Sequence, residues 1–263
     1  MVRSTSKQYN PYRPASRIKA THRLRTRWAI SVVLRTPNPY TGDTVHENAM
    51  SVVDLSQSLS ASMPVYPGTE PPRFVEATTI EREGFAEKLI SLYSHTGTHI
   101  DAPGHILAGA STLDRLPVDQ FVGPACVVDV SNARDGRIDV ELLESQAPRM
   151  AGADFVLLMS GWSCKWGSRE YFEGFPLLTE AGAGWLASRG LKGIGVDMIS
   201  VDSVGSRDFA IHKILFRAGM VIVENLCRLE ELGPEAFLFS CMPLKILDAD
   251  GSPVRACAIQ LRR

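Results

Sequence analysis

The chain has 263 residues, of which 44% are hydrophobic and 22% are charged, a composition typical of a globular protein with one substantial core. Its formal net charge is −1, but residues 1–49 carry nine Lys/Arg and two acidic residues, whereas residues 50–263 carry nineteen Lys/Arg and twenty-seven Asp/Glu. The acidic excess of the larger part argues against a nucleic-acid partner.

Residues 1–49 differ from the rest of the chain, because they are rich in Arg, Ser and Thr and are punctuated by four prolines. This composition predicts a basic, poorly ordered N-terminal extension, with a targeting peptide as the alternative. We expect the fold to occupy residues 50–263 as one domain. No apolar run is long enough to span a bilayer, so the sequence predicts no membrane partner and a cytoplasmic location.

Short apolar runs rich in β-branched residues recur from residue 51 onward and predict strands. These runs are SVVDL, RFVEATTI, KLISLYS, ACVVDV, FVLLM, GIGVD, MVIVENL, FLFSC and VRACAIQL. Between them, Asp139 and Thr179 are candidate N-caps of helices, and DFAIHKILFRA is a third helical segment. Strands in the majority with intervening helices indicate a mixed α/β or α+β domain. The five cysteines include no CxxC pair and are predicted to be reduced core residues.

The stretch SHTGTHIDAPGH places His95, His99, Asp101 and His105 within twelve positions. All four lie at even spacings, so an extended strand would direct them to one face, whereas a helix would separate His99 from Asp101 by about 200°. A straight strand would also place His95 and His105 about 33 Å apart at ~3.3 Å per residue. The glycines and the proline in this stretch predict a bent strand that brings the four side chains to one point.

Imidazoles and a carboxylate at one point are the usual ligands of a borderline divalent cation such as Zn²⁺ or Mn²⁺. The alternative is a polar turn whose histidines bind backbone groups. His212, on a predicted helix, and Glu224, at the end of an apolar strand, are further candidate ligands. A carboxylate in that position is costly to bury without a cation or a donor, although many such residues simply face solvent.

The motif SHTGTHIDAPGH resembles the His-x-Gly-Thr-His-x-Asp-x-Pro-x-His motif of the cyclase family of metal-dependent hydrolases, which includes bacterial kynurenine formamidase and isatin hydrolase. The similarity continues through PVYPG, LDRLPVDQFVGPACVVDV, LLMSGW, AIHKILFRAG, VIVENL and MPLKILDADGSPVRACAI. It covers the chain from about residue 52 to residue 261. The resemblance implies an α/β domain with a β-barrel-like core and flanking helices, of the family's swivelling β/β/α type, and a homodimer.

The resemblance also implies a divalent metal, Zn or Mn, with one or two ions. By position, the implied metal ligands are His95, His99, Asp101, His212 and Glu224. His105 matches the last histidine of the motif, which implies a residue close to the metal that acts as a catalytic proton carrier, with a metal ligand as the alternative.

The resulting hypothesis is a metal-dependent amidohydrolase that cleaves an N-formyl aryl amide such as N-formylkynurenine by means of a metal-bound hydroxide. Trp162, Trp166 and Phe172 are candidates for an aromatic wall against a small planar substrate, with core packing as the alternative. The alternatives in function are a lactam or lactone hydrolase, a ring-closing cyclase and, in another class, a non-catalytic metal-binding protein of the same fold. The absence of G-x-S-x-G, G-x-G-x-x-G and P-loop patterns argues against a serine hydrolase or a nucleotide-dependent enzyme.

Overall fold

Short strands make up most of the regular structure in the computed structural model, which describes residues 50–261. The predicted N-terminal extension, residues 1–49, lies outside the described residues. The strands, β1 to β13, are Met50–Asp54, Arg73–Thr78, Glu87–Ser91, His99–Asp101, Val122–Asp129, Arg137–Ile138, Phe155–Met159, Leu177–Leu178, Gly193–Val196, Val221–Glu224, Phe237–Ser240, Gly251–Pro253 and Cys257–Leu261. The helices, α1 to α4, are Ile80–Glu83, Val140–Ser145, Glu180–Ala187 and Ala210–Arg217.

Nine of these strands form one curled half-barrel sheet in the order β1-β13-β11-β5-β7-β9-β10-β4-β12. The central strands β5, β7, β9 and β10 are parallel, as expected for strands joined through the crossover helices α2, α3 and α4. Antiparallel strands extend the sheet at both sides. The predicted α/β fold with a barrel-like core is therefore confirmed.

Strand β7 shows that the sheet lies between two hydrophobic cores, one on each face. Phe155 and Leu157 belong to one core, while Val156 and Leu158 belong to the other, which also receives the apolar faces of the helices. All four side chains are fully buried. A strand that is apolar on both faces is typical of the parallel centre of an α/β sheet, because both faces are covered.

Helices α2 and α3 begin where the sequence predicts. The Asp139 carboxylate accepts a hydrogen bond from the backbone N–H of Leu142, and the Thr179 hydroxyl accepts one from Gly182, each over 3.0 Å. Helix α4 directs Ile211, Leu215 and Phe216 into the helix-side core. Both N-cap predictions are confirmed.

The predicted strands and the predicted core cysteines agree with the structure only in part. All nine predicted strands are present within the described part of the chain, but His95 does not lie on one, because the strand in its motif is only His99–Asp101. The prediction of five core cysteines is wrong for Cys164, which is exposed, and two others are only partly buried. Among residues 50–261, no helix is both long and apolar enough to cross a membrane.

Candidate metal centre and hydrolytic site

Strand β4 provides the frame of the site. His99 and Asp101 are two residues apart on this strand, so their side chains leave the same face of the sheet. The neighbouring strand β10 pairs with β4 so that Glu224 lies directly opposite His99. Nε2 of His99 is consequently 3.2 Å from Oδ1 of Asp101 and 3.5 Å from Oε2 of Glu224.

His95 reaches the same point from the bend that precedes β4. Gly97 adopts a left-handed backbone conformation, with φ of +65°, that residues with a Cβ rarely adopt. This turn brings the His95 ring back over the strand, where its Nδ1 lies 2.6 Å from Oδ1 of Asp101. The bend therefore replaces the longer curled strand that the sequence predicts.

His212 completes the cluster from helix α4, which packs over this face of the sheet. Its Nε2 lies 3.5 Å from Oε1 of Glu224 and 3.8 Å from Oδ2 of Asp101. The structure thus brings together the five residues that the sequence suggests as ligands. These residues are His95, His99, Asp101, His212 and Glu224.

The donor set fits a divalent cation. Among the described residues, three groups of three side chains have donor atoms within 4.8 Å of one another: His95 with His99 and Asp101, Asp101 with His212 and Glu224, and His95 with His105 and Asp250. Asp101 belongs to the first two groups and is only 1% exposed. Two buried carboxylates among imidazoles are costly unless a cation or protons balance them. Nitrogen and oxygen donors without thiolate suit zinc and manganese.

The second ring nitrogen of two histidines is held by an oxygen acceptor. Nδ1 of His99 lies 2.8 Å from the Gly97 carbonyl oxygen, and Nδ1 of His212 lies 2.6 Å from the Asp202 carboxylate. Such contacts fix the tautomer, so that Nε2 carries the lone pair and faces the cluster. Asn225 supports the first contact, because its amide also donates to the Gly97 carbonyl.

Opposite charges control protonation within the cluster. Burial alone would raise the pKa of Asp101, but the imidazoles of His95 and His99 hold it well below its usual range. Burial opposes protonation of His95, yet the Asp101 and Asp250 carboxylates raise its pKa to about 9. A cation must displace such protons, so metal affinity decreases as the pH is lowered.

His105 lies beside the five candidate ligands, in the 3₁₀ turn Pro103–His105. Its ring centroid is 3.8 Å from that of His95 and 6.2 Å from that of His212. Burial lowers the pKa of the His105 imidazole, which favours the neutral form that can accept a proton.

Three aromatic residues of segment 162–172, namely Trp162, Trp166 and Phe172, are partly buried and pack on the helix-side core, to which the fully buried Tyr171 belongs. The Trp162 indole donates to the Tyr171 carbonyl, and the Trp166 ring meets the Tyr171 ring edge to face. The Tyr171 hydroxyl donates over 2.8 Å to Asn225, which in turn supports His99. Core packing thus applies to Trp162, Trp166 and Phe172, and their part in substrate binding stays a prediction.

Three polar residues at the site were missed by the sequence analysis: Asp202, Asn225 and Asp250. The signals were weak, since each residue lies at the end of an apolar run or in a turn, where polar side chains are common. Asp202 precedes His212 by ten residues and Asn225 directly follows Glu224. The partners of Asn225 and Asp250 become evident only when the sheet register is known, and that of Asp202 only when helix α4 is placed.

The fold and this cluster together define a metal-dependent hydrolase. The chain belongs to the cyclase family, since the family model described as "Putative cyclase" matches residues 53–203. The cofactor is a divalent metal, in agreement with the donor set.

The similarity of this chain to known proteins agrees with this membership. The kynurenine formamidase of Bacillus cereus (strain ATCC 14579) is 33% identical over 205 residues, which cover 78% of this chain and 95% of that enzyme. Isatin hydrolase A from Ralstonia solanacearum has a similar structure, with a TM-score of 0.71, 28% identity and coverage of 80% of this chain and 92% of its own. A structure described as a predicted metal-dependent hydrolase from Bacillus stearothermophilus has a TM-score of 0.66 and 28% identity, covering 80% and 98%.

Replacing Asp202 by asparagine tests the orientation of His212. The neutral amide is a weaker acceptor for Nδ1–H, so we expect metal affinity about 10-fold to 100-fold lower, measured by competition with a chromogenic chelator. The control Asp139→Asn makes the same exchange at the N-cap of α2, where the carboxylate accepts a hydrogen bond from the Leu142 N–H. Equal metal affinity in Asp202→Asn and the wild type would contradict the orienting role.

Proposed function

We propose that this protein hydrolyses an N-formyl amide on an aromatic amine, with N-formylkynurenine as the reference substrate. The observation that carries the proposal is the position of one further imidazole, His105, beside the five-residue cluster. The kynurenine formamidase relative supports the choice of substrate and of a carbon–nitrogen bond other than a peptide bond.

The metal that we propose is Zn²⁺ or Mn²⁺, held by His95, His99, Asp101, His212 and Glu224. Support for two ions comes from the two donor groups that share the Asp101 carboxylate. When bound, such a cation supplies Lewis-acid polarisation of a carbonyl oxygen and lowers the pKa of water.

His105 is proposed as the proton carrier. Its ring lies against His95 at the cluster, and one carboxylate, Asp250, contacts its Nδ1 at 3.3 Å. With Nδ1 protonated, Nε2 is the nitrogen that takes a proton from water and returns it to the leaving amine. General acid–base catalysis of this kind requires a neutral imidazole before the reaction, as burial provides here.

The substrate is proposed to be small and planar or aromatic, with Trp162, Trp166 and Phe172 contributing to its pocket. Support comes from the link through Tyr171 and Asn225, which joins their segment to His99.

Truncation of Trp166 to alanine is expected to raise KM at least several-fold, and a KM near that of the wild type would exclude this residue from the pocket.

Turnover of N-formylkynurenine by protein purified without added metal, with elemental analysis before and after chelation, tests the function directly. We expect bound zinc or manganese, loss of hydrolysis on chelation and recovery when the metal is restored, because the cation polarises the scissile carbonyl. Bound metal without turnover would contradict the substrate and direct the assay to lactams and lactones. Failure to bind metal under any loading condition would contradict the site itself.

The substitution His105→Ala tests the proton carrier. We expect kcat to fall by about 10²-fold to 10⁴-fold, the usual contribution of a positioned acid–base group. Metal content should stay at the wild-type level, since His105 is outside the five proposed ligands. Full turnover in this variant with metal still bound would contradict the role of His105.

A homodimer in the cytoplasm is also proposed. Support for a dimer comes from two surfaces with exposed apolar side chains, the β2–β3 hairpin and segment 242–247, where Leu89 is 63% and Leu247 is 80% exposed. Apolar surface of this kind on a globular protein usually marks an interface. The five free cysteines suit a reducing compartment.

Sedimentation analysis tests the dimer. We expect wild-type protein to be dimeric, and at least one of Leu89→Glu and Leu247→Glu to shift it towards the monomer, because a buried charge destabilises an apolar interface. Val118→Glu is the control, since Val118 is 70% exposed but lies outside both surfaces. A monomeric wild type would contradict the proposal.

A further inference from the structure

Asp250 connects two histidines that have different proposed roles. One carboxylate oxygen, Oδ2, lies 3.0 Å from Nε2 of His95 and 3.3 Å from Nδ1 of His105. His95 is a proposed metal ligand and His105 is the proposed proton carrier. Asp250 is therefore placed to influence both functions through one side chain.

The two rings reach the same oxygen because they lie against each other. Their centroids are 3.8 Å apart and their planes are inclined by 34°. A carboxylate at the edge of this pair is within reach of one nitrogen from each ring. An ionised carboxylate only accepts hydrogen bonds, so both rings must present N–H to it.

The backbone fixes where this carboxylate lies. The Asp250 carbonyl accepts a hydrogen bond of 2.9 Å from the N–H of Ala102, and Gly251 is paired with Asp101 across β12 and β4. The Asp250 side chain is thus held next to the strand that carries two of the proposed ligands.

Gly251 leaves the space that the His95 ring occupies. A Cβ on Gly251 would lie 2.5 Å from Cε1 of His95 and 2.8 Å from its Nε2, closer than real Cβ atoms approach other atoms. The glycine is therefore required by the imidazole above it, not by its own backbone conformation. Asp250 and Gly251 therefore both contribute to the placement of the His95 ring, whose other nitrogen contacts Asp101.

We propose that Asp250 is a positioning residue that fixes the tautomers of His95 and His105 at once, with Gly251 providing the space for the first ring. By accepting from Nε2–H of His95, it leaves Nδ1 of that ring as the nitrogen directed at Asp101 and the metal. By accepting from Nδ1–H of His105, it leaves Nε2 of that ring to take the proton. This inference rests on the proposed function, since it concerns the same metal site and the same proton carrier.

The geometry at the other two histidines supports this assignment. His99 and His212 each have Nδ1 held by an oxygen, from the Gly97 carbonyl and from Asp202 respectively. In His95 the nitrogens are exchanged, because Nδ1 faces Asp101 and Nε2 faces Asp250. Asp250 thus gives His95 the acceptor that the other two proposed histidine ligands also have.

The test compares Asp250→Ala with the wild type, using the full chain and Zn²⁺ as the probe. We expect zinc affinity about 10-fold to 100-fold lower by chelator competition, since loss of a group that orients a ligand usually has this effect. In a two-bond ¹H–¹⁵N spectrum of the zinc-loaded protein, the His105 ring should change from the Nδ1–H tautomer to a mixture. The signal that is missing in His105→Ala identifies this ring.

Three further variants make the test specific. Asp250→Asn, which keeps the shape of the side chain and weakens the acceptor, should give an intermediate zinc affinity and ensures a result if the alanine variant does not fold. Gly251→Ala should weaken zinc binding and leave the His105 tautomer unchanged. The matched control Asp248→Asn, in the same turn but paired with Arg115, should behave as the wild type.

Neither measurement needs a substrate, so a failure of this inference can be distinguished from a failure of the proposed function. Unchanged zinc affinity and an unchanged His105 tautomer in Asp250→Ala would overturn the positioning role alone. Loss of one whole zinc equivalent in this variant would also overturn it, by making Asp250 a ligand. Wild-type protein that binds no zinc would overturn the proposed function and this inference together.

Discussion

The antiparallel pairing of β4 with β10 is the constraint on which the rest of the site depends. It places Glu224 opposite His99, and the two-residue period of β4 adds Asp101 on the same face. A slip of one residue would exchange the two faces of β4, because side chains alternate along a strand. Ile100, which is fully buried in the core that contains Phe155 and Leu157, would then occupy the site, and the two polar residues would enter that apolar core. The hydrophobic pattern that stabilises the fold therefore also fixes the geometry of the proposed ligands.

Because buried charges are concentrated at one point, every imidazole of the site must also have a defined tautomer. The fold meets it with acceptors from three different parts of the chain: the Gly97 carbonyl, Asp202 and Asp250. The Asp202 carboxylate also accepts from the backbone N–H groups of Ile211 and His212 at the start of α4. The same side chain thus holds the beginning of the helix and the histidine on it, so the position of the helix and the direction of the ring are coupled.

Local features of this fold are predictable from the sequence, whereas contacts between distant segments are predictable only where the family resemblance supplies them, as it does for His212 and Glu224. The caps Asp139 and Thr179 act on residues three positions away, and the β-branched runs identify all nine predicted strands. The motif around His99 is likewise local, so its residues are found in one place. Asp250 lies 155 positions from His95 and reaches it only because the three-residue strand β12 pairs with β4. So short a strand has no periodic pattern to detect, and its register follows from the assembled sheet.

Selectivity for a substrate must come from outside the cluster of proposed ligands, since imidazoles and carboxylates around a cation serve amides, lactams and lactones alike. Segment 162–172 is one part of the described chain whose aromatic residues are linked to that cluster, in this case through hydrogen bonds of Tyr171 and Asn225. Tyr171 is fully buried and its hydroxyl donates a hydrogen bond to Asn225, so the two residues hold each other in place. A change of shape in the segment is therefore expected to affect His99 as well as the proposed substrate pocket. Pocket shape and metal geometry are then not independent, and substitutions among these aromatic residues should alter kcat together with KM.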